Sequence, residues 1–152
     1  MRKILTFALM LCGLLAYSQE DGAAPLSSGG TQLNVGVGLN GGDLPLFASY
    51  DIAVTNDITV APQVQLDLGF NYLILTGRGD YHFNRLIGIP SNWDFYAGAN
   101  LGYLIGLSGY GSDLRLGLQI GGRYYFSEKF GIMLEGAGGN SFGTKLGLTI
   151  KM

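Results

Sequence analysis

The stretch "DLRLGLQIGGRYYFSEKFGIMLEGAGG" (Asp113–Gly139) decides how the chain is interpreted. Its first half alternates apolar positions with polar or glycine positions: Leu114, Leu116, Leu118 and Ile120 against Arg115, Gly117, Gln119 and Gly121. A period of two predicts a β-strand with one apolar and one polar face. In a soluble barrel the apolar face points inward, whereas in a membrane barrel it points outward to lipid.

The same rhythm continues from residue 31 to the C-terminus, with turn sequences between the alternating segments. Eight strands are predicted, over residues 31–40, 44–54, 58–68, 72–83, 93–106, 114–126, 130–137 and 144–152. Eight strands of about 11 residues with seven short turns need roughly 120 residues. No segment has the 3.6-residue period of a helix. We therefore predict an all-β, eight-stranded, antiparallel up-and-down transmembrane β-barrel.

The charged residues of the predicted strands all fall on the less apolar face. They are five acids and five bases: Asp51, Asp67, Asp80, Asp94, Glu135, Arg78, Arg115, Arg123, Lys145 and Lys151. This face also mixes glycines with large residues such as Phe47, Tyr96 and Tyr125, which suits the uneven space inside a narrow barrel. Buried charges require partners, and equal numbers provide them. The face that carries Arg115 and Gln119 is therefore predicted to line the lumen, and the face that carries Leu118 to contact lipid.

Counting residues outward from each turn predicts which lumen charges meet. Glu135 lies opposite Lys145 across one turn and opposite Gly121 across another, with Arg123 diagonal to it. Further steps place Gly121 opposite Gly98 and Gly98 opposite Arg78. We expect a lumen charge network with Glu135 at its centre, and its members are Arg78, Asp80, Arg115, Arg123, Glu135 and Lys145.

Aromatic residues on the apolar face cluster near two turns that lie at the same rim as the N-terminus. They are Tyr81, Phe83, Trp93, Phe95, Tyr124, Phe126 and Phe130. Aromatic side chains at one level are typical of the girdle at a membrane–water interface. The alternative is an aromatic core cluster in a soluble barrel.

The N-terminus has the features of a secretory signal peptide. Basic Arg2 and Lys3 precede an apolar stretch from residue 4 to 15, and small residues Ala16 and Ser18 precede a predicted cleavage site. The alternative is a membrane-anchor helix, for which the apolar stretch is short. We predict a signal peptide over 1–18, a flexible periplasmic leader over 19–30, and the barrel over 31–152.

These features resemble those of the small outer-membrane β-barrels of Gram-negative bacteria, the OmpA/OmpX-type, porin-like family. The resemblance covers residues 31–152 and depends on pattern, without a signature motif. The family's last strand alternates and ends in an aromatic residue that the assembly machinery reads; here the strand alternates but ends in Met152. The outer turns are short, which gives no support for an adhesion role.

The sequence contains few residues that indicate catalysis or the binding of a ligand. Net charge is −2, so nothing indicates nucleic-acid binding, and the single cysteine, Cys12, lies in the signal peptide. "GVGLNG" at residues 36–41 has dinucleotide-motif spacing but precedes a turn and Pro45 instead of a helix. We predict no cofactor and no metal site. His82, the only histidine, lies on the lumen face near Asp80 and Asp94, with Ser49 and Ser91 as candidate hydroxyl partners.

We therefore expect a non-enzymatic integral outer-membrane barrel with a structural or narrow-pore role. Its predicted partners are the lipid bilayer and the outer-membrane assembly machinery, and we expect a monomer with both termini in the periplasm. Two alternatives remain open at this stage. One is a membrane-embedded lipid-modifying enzyme that uses His82, and the other is a soluble, secreted, lipocalin-like barrel with its apolar face inward.

Overall fold

A computed structural model describes residues 24–39, 44–139 and 143–152. Within these residues it contains eight strands and one short helix. The strands are β1 (Thr31–Leu39), β2 (Leu46–Ala53), β3 (Ile58–Leu66), β4 (Tyr72–His82), β5 (Trp93–Gly106), β6 (Asp113–Tyr125), β7 (Phe130–Gly139) and β8 (Gly143–Lys151), and the helix α1 (Asn84–Ile87) lies between β4 and β5.

The strands form one closed barrel in which each strand pairs with its neighbours in sequence and β1 pairs with β8. Every pairing is antiparallel. The predicted eight-stranded up-and-down barrel is therefore confirmed. Gln32 pairs with Lys151, so both ends of the barrel sequence lie at one rim. We call this the terminal rim; it also carries the β2–β3, β4–β5 and β6–β7 connections, and the opposite end is the far rim.

The strand registers determine how steeply the strands tilt. One circuit of paired residues starts at Tyr125 on β6 and returns to the same strand at Arg115, ten residues away. Its steps are Tyr125, Gly131, Thr149, Asn34, Ser49, Gln63, Thr76, Gly102 and Arg115. With eight strands about 4.8 Å apart and about 3.3 Å per residue, this stagger requires a tilt of about 40°.

The polar face of each strand points into the barrel. Leu118 is 70% exposed and its neighbour Gln119 is 4% exposed, and the same alternation continues around the sheet. Buried side chains include many polar and charged ones, among them Gln32, Asn34, Asp51, Asp80, Asp94, Arg123 and Glu135. The apolar face of β6 is therefore outside, as the glycine-rich and charged composition of the opposite face indicated.

The β4–β5 connection contains α1, which the sequence pattern did not predict because four residues are too few to show helical periodicity. Gly88 ends the helix with φ of +64°, a left-handed conformation that glycine adopts readily. The side chain of Asn84 is buried and donates to the carbonyl of Trp93. Among the described residues, no helix is long and apolar enough to cross a membrane.

The segment just before β1 is attached to the terminal rim, although its composition suggested a flexible leader. The amide of Gly29 donates to the carbonyl of Ala53 (2.8 Å), and the amide of Ala53 donates to Gly30 (2.9 Å). Leu26 is buried as well. Residues 26–30 thus continue beside the end of β2. The predicted signal peptide (1–18), residues 19–23 of the leader, and residues 40–43 and 140–142 of two far-rim turns lie outside the described residues.

Candidate functional site

The lumen is the polar centre of the molecule, and its far-rim half is organised around Glu135 on β7. Arg78 Nη2 lies 2.6 Å from Glu135 Oε2, and Lys145 Nζ lies 2.9 Å from Oε1. The Tyr96 hydroxyl donates to Oε2 at 2.8 Å. Arg78 also contacts Asp80 at 2.8 Å. Glu135 is 1% exposed, so both carboxylate oxygens are paired away from bulk solvent.

The terminal-rim half of the lumen is organised around Arg123 on β6. Its two terminal nitrogens lie 2.8 Å from Asp94 and 2.6 Å from Asp51. Asp94 accepts a hydrogen bond from His82 Nδ1 at 2.7 Å, and Asp51 accepts one from Gln32 at 2.9 Å. Arg123 is 1% exposed. One buried guanidinium therefore bridges two carboxylates that belong to β2 and β5, two strands that are not neighbours in the sheet.

Tyr96 links the Glu135 cluster to the Arg123 cluster. Its ring centroid lies 4.3 Å from Arg123 Cζ and 5.6 Å from Arg78 Cζ, so each guanidinium approaches the ring. Gly121 makes room for this ring, because a Cβ atom there would lie 2.3 Å from Tyr96 Cζ. Gly121, the first glycine of "IGGR", is thus required by the packing of the Tyr96 side chain on the neighbouring strand.

Two steps of the predicted register are wrong. Glu135 does pair with Lys145 and with Gly121. Gly121, however, pairs with Tyr96, and Gly98 pairs with Asp80, so each of the two remaining steps was misplaced by two residues. The turn sequences do not show how many of their residues extend the strands, and a shift of two leaves every side chain on its predicted face.

The tilt explains why Arg78 nevertheless reaches Glu135. Along the register, the residue on β4 that matches Glu135 is His82, through Gly121 and Tyr96. A stagger of ten residues over eight strands shifts the level by about four residues across three strands. Four residues from His82 along β4 is Arg78. The residues that meet across the lumen are therefore set by the tilt as well as by pairing.

Two predicted members of the network, Arg123 and Arg115, lie outside the Glu135 cluster in the structure. Arg123 pairs with Asp51 and Asp94, whereas the prediction placed it beside Glu135. Arg115 lies 3.6 Å from Asp113 near the far rim, at a site more exposed than the Glu135 cluster. Asp80 and Lys145 lie within the Glu135 cluster, as described above. The inward position of Asp51 and Asp94 was visible in the alternation, but their partner was not.

His82 is held on both sides of its ring. Nδ1 contacts Asp94, and Nε2 lies 2.9 Å from the Thr59 hydroxyl, a residue that the sequence did not single out. Ser49 instead contacts Asn34 and Asp51. Thr59 and His82 are 2% and 3% exposed, so the hydroxyl–imidazole–carboxylate series is closed to a substrate in this structure. Within the described part of the chain, no cluster of three or more His, Cys, Asp and Glu side chains is arranged to hold a metal ion.

The seven predicted girdle residues lie at the terminal rim, where β4 to β7 meet their connections. Five are exposed: Tyr81, Trp93, Phe95, Phe126 and Phe130. Phe83 and Tyr124 are half-buried. Trp93 stacks on Phe95 with ring centroids 5.7 Å apart and contacts Tyr124 at 4.8 Å. Ring contacts thus join Trp93, Phe95 and Tyr124 in one group and Tyr81 and Phe83, 5.3 Å apart, in a second group on the same sector of the barrel.

A second set of exposed aromatic side chains lies toward the far rim, and the sequence analysis did not identify it. Tyr103 on β5, Phe70 in the β3–β4 turn and Tyr110 in the β5–β6 turn are 50%, 63% and 53% exposed. The two turns are joined by a hydrogen bond from Leu107 to Asn71. Alternation within β5 could have placed Tyr103 outside, but the outward position of two turn residues required the structure.

Solved structures that are similar to this chain include designed transmembrane β-barrels and a bacterial β-barrel domain. A barrel from the de novo design of transmembrane β-barrels aligns with a TM-score of 0.70 at 16% identity, covering 84% of this chain and 98% of that chain. The N-terminal β-barrel domain of Pseudomonas aeruginosa OprF aligns with a TM-score of 0.59 at 16% identity, covering 84% and 100%.

A third match is the de novo designed barrel TMB2.3, with a TM-score of 0.61 at 16% identity over 83% of this chain and 96% of that chain. No protein-family model matches the sequence, and no curated protein matches it. At this level of identity, the likeness establishes a shared fold: a closed, eight-stranded barrel of the kind found in transmembrane proteins.

The contact between Gly121 and Tyr96 leads to a matched pair of substitutions. Gly121→Ala is expected to lower the free energy of unfolding by about 1–3 kcal/mol, because the new methyl group overlaps a fully buried ring. Gly136→Ala on β7 is the control, since a Cβ there meets nothing within 4 Å. Denaturant unfolding in lipid vesicles measures both. Equal losses for the two variants would contradict the packing role of Gly121.

Proposed function

We propose that the chain is an integral outer-membrane β-barrel of a Gram-negative bacterium, with a non-enzymatic, structural or narrow-pore role. The observation that carries the proposal is the inside-out distribution of side chains. Ion pairs such as Arg123–Asp51 are buried within the closed barrel, while Leu114, Leu116 and Leu118 are 58–70% exposed on its surface. A continuous apolar exterior of this kind is stable in lipid and costly in water.

The spacing of the two aromatic sets supports the same proposal. On β5, Trp93 marks the terminal-rim set and Tyr103 the far-rim set, ten residues apart. Ten residues rise about 33 Å along a strand, which corresponds to about 25 Å along the barrel axis at a tilt of about 40°. That is about the height of the apolar band on transmembrane barrels, whose limits are marked by aromatic girdles.

The alternatives have less support from the geometry. A lipocalin-like carrier needs an apolar cavity, and here the lumen is lined by residues such as Gln32, Asn34 and Asp94. A lipid-modifying enzyme needs a nucleophile that lipid can reach, and the hydroxyl beside His82 is buried inside the barrel. The two ends of the barrel sequence, which lie at the terminal rim, would face the periplasm, as in the barrels that the sequence resembles. The predicted partners remain lipid and the assembly machinery, and the predicted state is a monomer.

The packed lumen leads to a prediction about permeation. Fully buried side chains cross it at several levels, including Tyr96, Arg123, Met133 and Glu135. Eight-stranded barrels have interiors just wide enough for side chains to fill. We therefore expect little or no conductance for the purified protein in planar bilayers. Steady, large openings of the general-porin type would contradict a structural or narrow-pore role.

Gel mobility after extraction tests the proposal directly. The protein is extracted from membranes with detergent and run with and without boiling in SDS. A closed barrel has no free strand edge, so the unboiled protein is expected to stay folded and to migrate differently from the boiled form. Recovery of the protein in the soluble fraction without detergent would refute the membrane assignment.

A further inference from the structure

The β4–β5 connection exposes two aliphatic side chains that the barrel itself does not need to expose. Leu86 and Ile87 of α1 are 67% and 60% exposed. The next two residues reverse this: Gly88 turns the chain with a positive φ, and Ile89 is 1% exposed. The sequence "LIGI" therefore directs one aliphatic pair outward and returns a third aliphatic side chain to the interior.

Hydrogen bonds hold this connection firmly on the terminal rim. The amide of Phe83 donates to Phe95 at 2.8 Å, and the amide of Ile89 donates to Asn84 at 2.9 Å. The Asn84 side chain is tied to Trp93, and Arg85 forms an ion pair with Asp57 in the neighbouring turn. Leu86 and Ile87 are thus presented by an anchored helix.

The other connections at this rim differ. Residues 55–57 and 127–129, "TND" and "SEK", form polar tips suited to water. Next to the strand ends these two connections expose one apolar side chain each, Val54 and Phe126. The connection between β4 and β5 instead exposes two adjacent aliphatic side chains, Leu86 and Ile87, on a helix, and it joins the strands that carry Tyr81 and the Trp93–Phe95 stack. The apolar exterior therefore continues past the strand ends in this sector.

We infer that α1 is a membrane-contacting segment that inserts into the lipid interface, with Leu86 and Ile87 at the boundary between headgroups and acyl chains. The inference rests on the proposed membrane function and extends it, because it assigns lipid as the partner of a segment beyond the strands. Side chains of this type bind the interface through burial of apolar area, and α1 lies between the two strands whose outward aromatic residues mark that interface.

Fluorescence quenching tests the depth of α1. Trp93 is the only tryptophan of the chain, so Trp93→Phe gives a background without tryptophan. Into it we place Leu86→Trp, the control Glu128→Trp at a polar tip of the same rim, and Leu118→Trp on the outward face of β6. Each variant is folded into phosphatidylcholine vesicles whose acyl chains carry bromine either near the headgroup or near the chain end, and folding is checked by gel mobility.

The expected result is strong quenching of Leu86→Trp by bromine near the headgroup, a blue-shifted emission, and little quenching of Glu128→Trp. Weak quenching of Leu86→Trp, equal to that of Glu128→Trp, with strong quenching of Leu118→Trp overturns this inference alone and leaves α1 as a surface for a partner in the aqueous phase. Absence of quenching at Leu118→Trp overturns the membrane proposal as well. If Leu86→Trp does not fold, Ile87→Trp takes its place with the same expected result.

Discussion

Glu135→Gln is expected to lower the free energy of unfolding by about 3–5 kcal/mol, the usual cost of breaking a buried ion pair from one side. The amide keeps the shape of the side chain but removes the charge that faces Arg78 and Lys145. Arg78 retains Asp80, whereas Lys145 loses its 2.9 Å carboxylate contact. Water entering the lumen would bring the loss toward the lower end of this range. Denaturant titration of the protein in vesicles measures the effect.

Asp113→Asn provides the matched control for this substitution. Asp113 faces Arg115 at 3.6 Å, and its side chain is 60% exposed. Exposed ion pairs contribute about 0–1 kcal/mol, so a small effect is expected from the same change of carboxylate to amide. A loss at Glu135 no larger than the loss at Asp113 would show that the lumen is hydrated and that the Glu135 cluster does not stabilise the barrel.

Leu118→Arg is expected to make folding into a bilayer less favourable by about 2–4 kcal/mol, because Leu118 lies near the middle of β6 and so near the expected midplane. The side chain is 70% exposed on the outer surface, so a charge there would enter the hydrocarbon. Gln119→Arg is the companion variant, because Gln119 faces a lumen where it already contacts Asp80 at 2.8 Å. It is expected to assemble better, with some cost from crowding.

The two variants alter neighbouring residues of one strand, and their assembly is compared by folding yield in vesicles and by gel mobility. Failure of Gln119→Arg to assemble while Leu118→Arg inserts normally would reverse the assignment of the two faces. It would also remove the main support for a membrane location, since all eight strands alternate in the same way.

Alternation predicted the strands well because each face of a barrel strand meets a different solvent. β5 begins and ends at the predicted residues 93 and 106, and β6 is displaced by one residue. Leu118 and Gln119 lie on the predicted faces for the same reason. A property that repeats every two residues over a whole strand is recoverable from a single sequence, and so is the fold that it requires.

The partners within the lumen were harder to predict because they depend on several strands together. Arg78 meets Glu135 through the tilt of the barrel, and Arg123 meets Asp51 across it. Both contacts follow from the cumulative stagger, which no local pattern contains. The helix α1 and the hydroxyl partner of His82, Thr59, were missed for a related reason: four residues and one side-chain contact leave no periodic signal.

The long-range character of the lumen contacts has a consequence for the order of assembly. Arg123 and Asp51 are 72 residues apart in the chain, and the hydrogen-bonded Tyr125 and Gln32 are 93 apart. Adjacent hairpins can pair before such contacts exist, because each hairpin needs only its own turn. These long-range contacts form only when the sheet curls and β1 meets β8, so in a transition state that is still open they are absent, and they then contribute to the barrier against opening. We therefore expect the long-range lumen contacts to prolong the lifetime of the closed barrel more than they speed its folding.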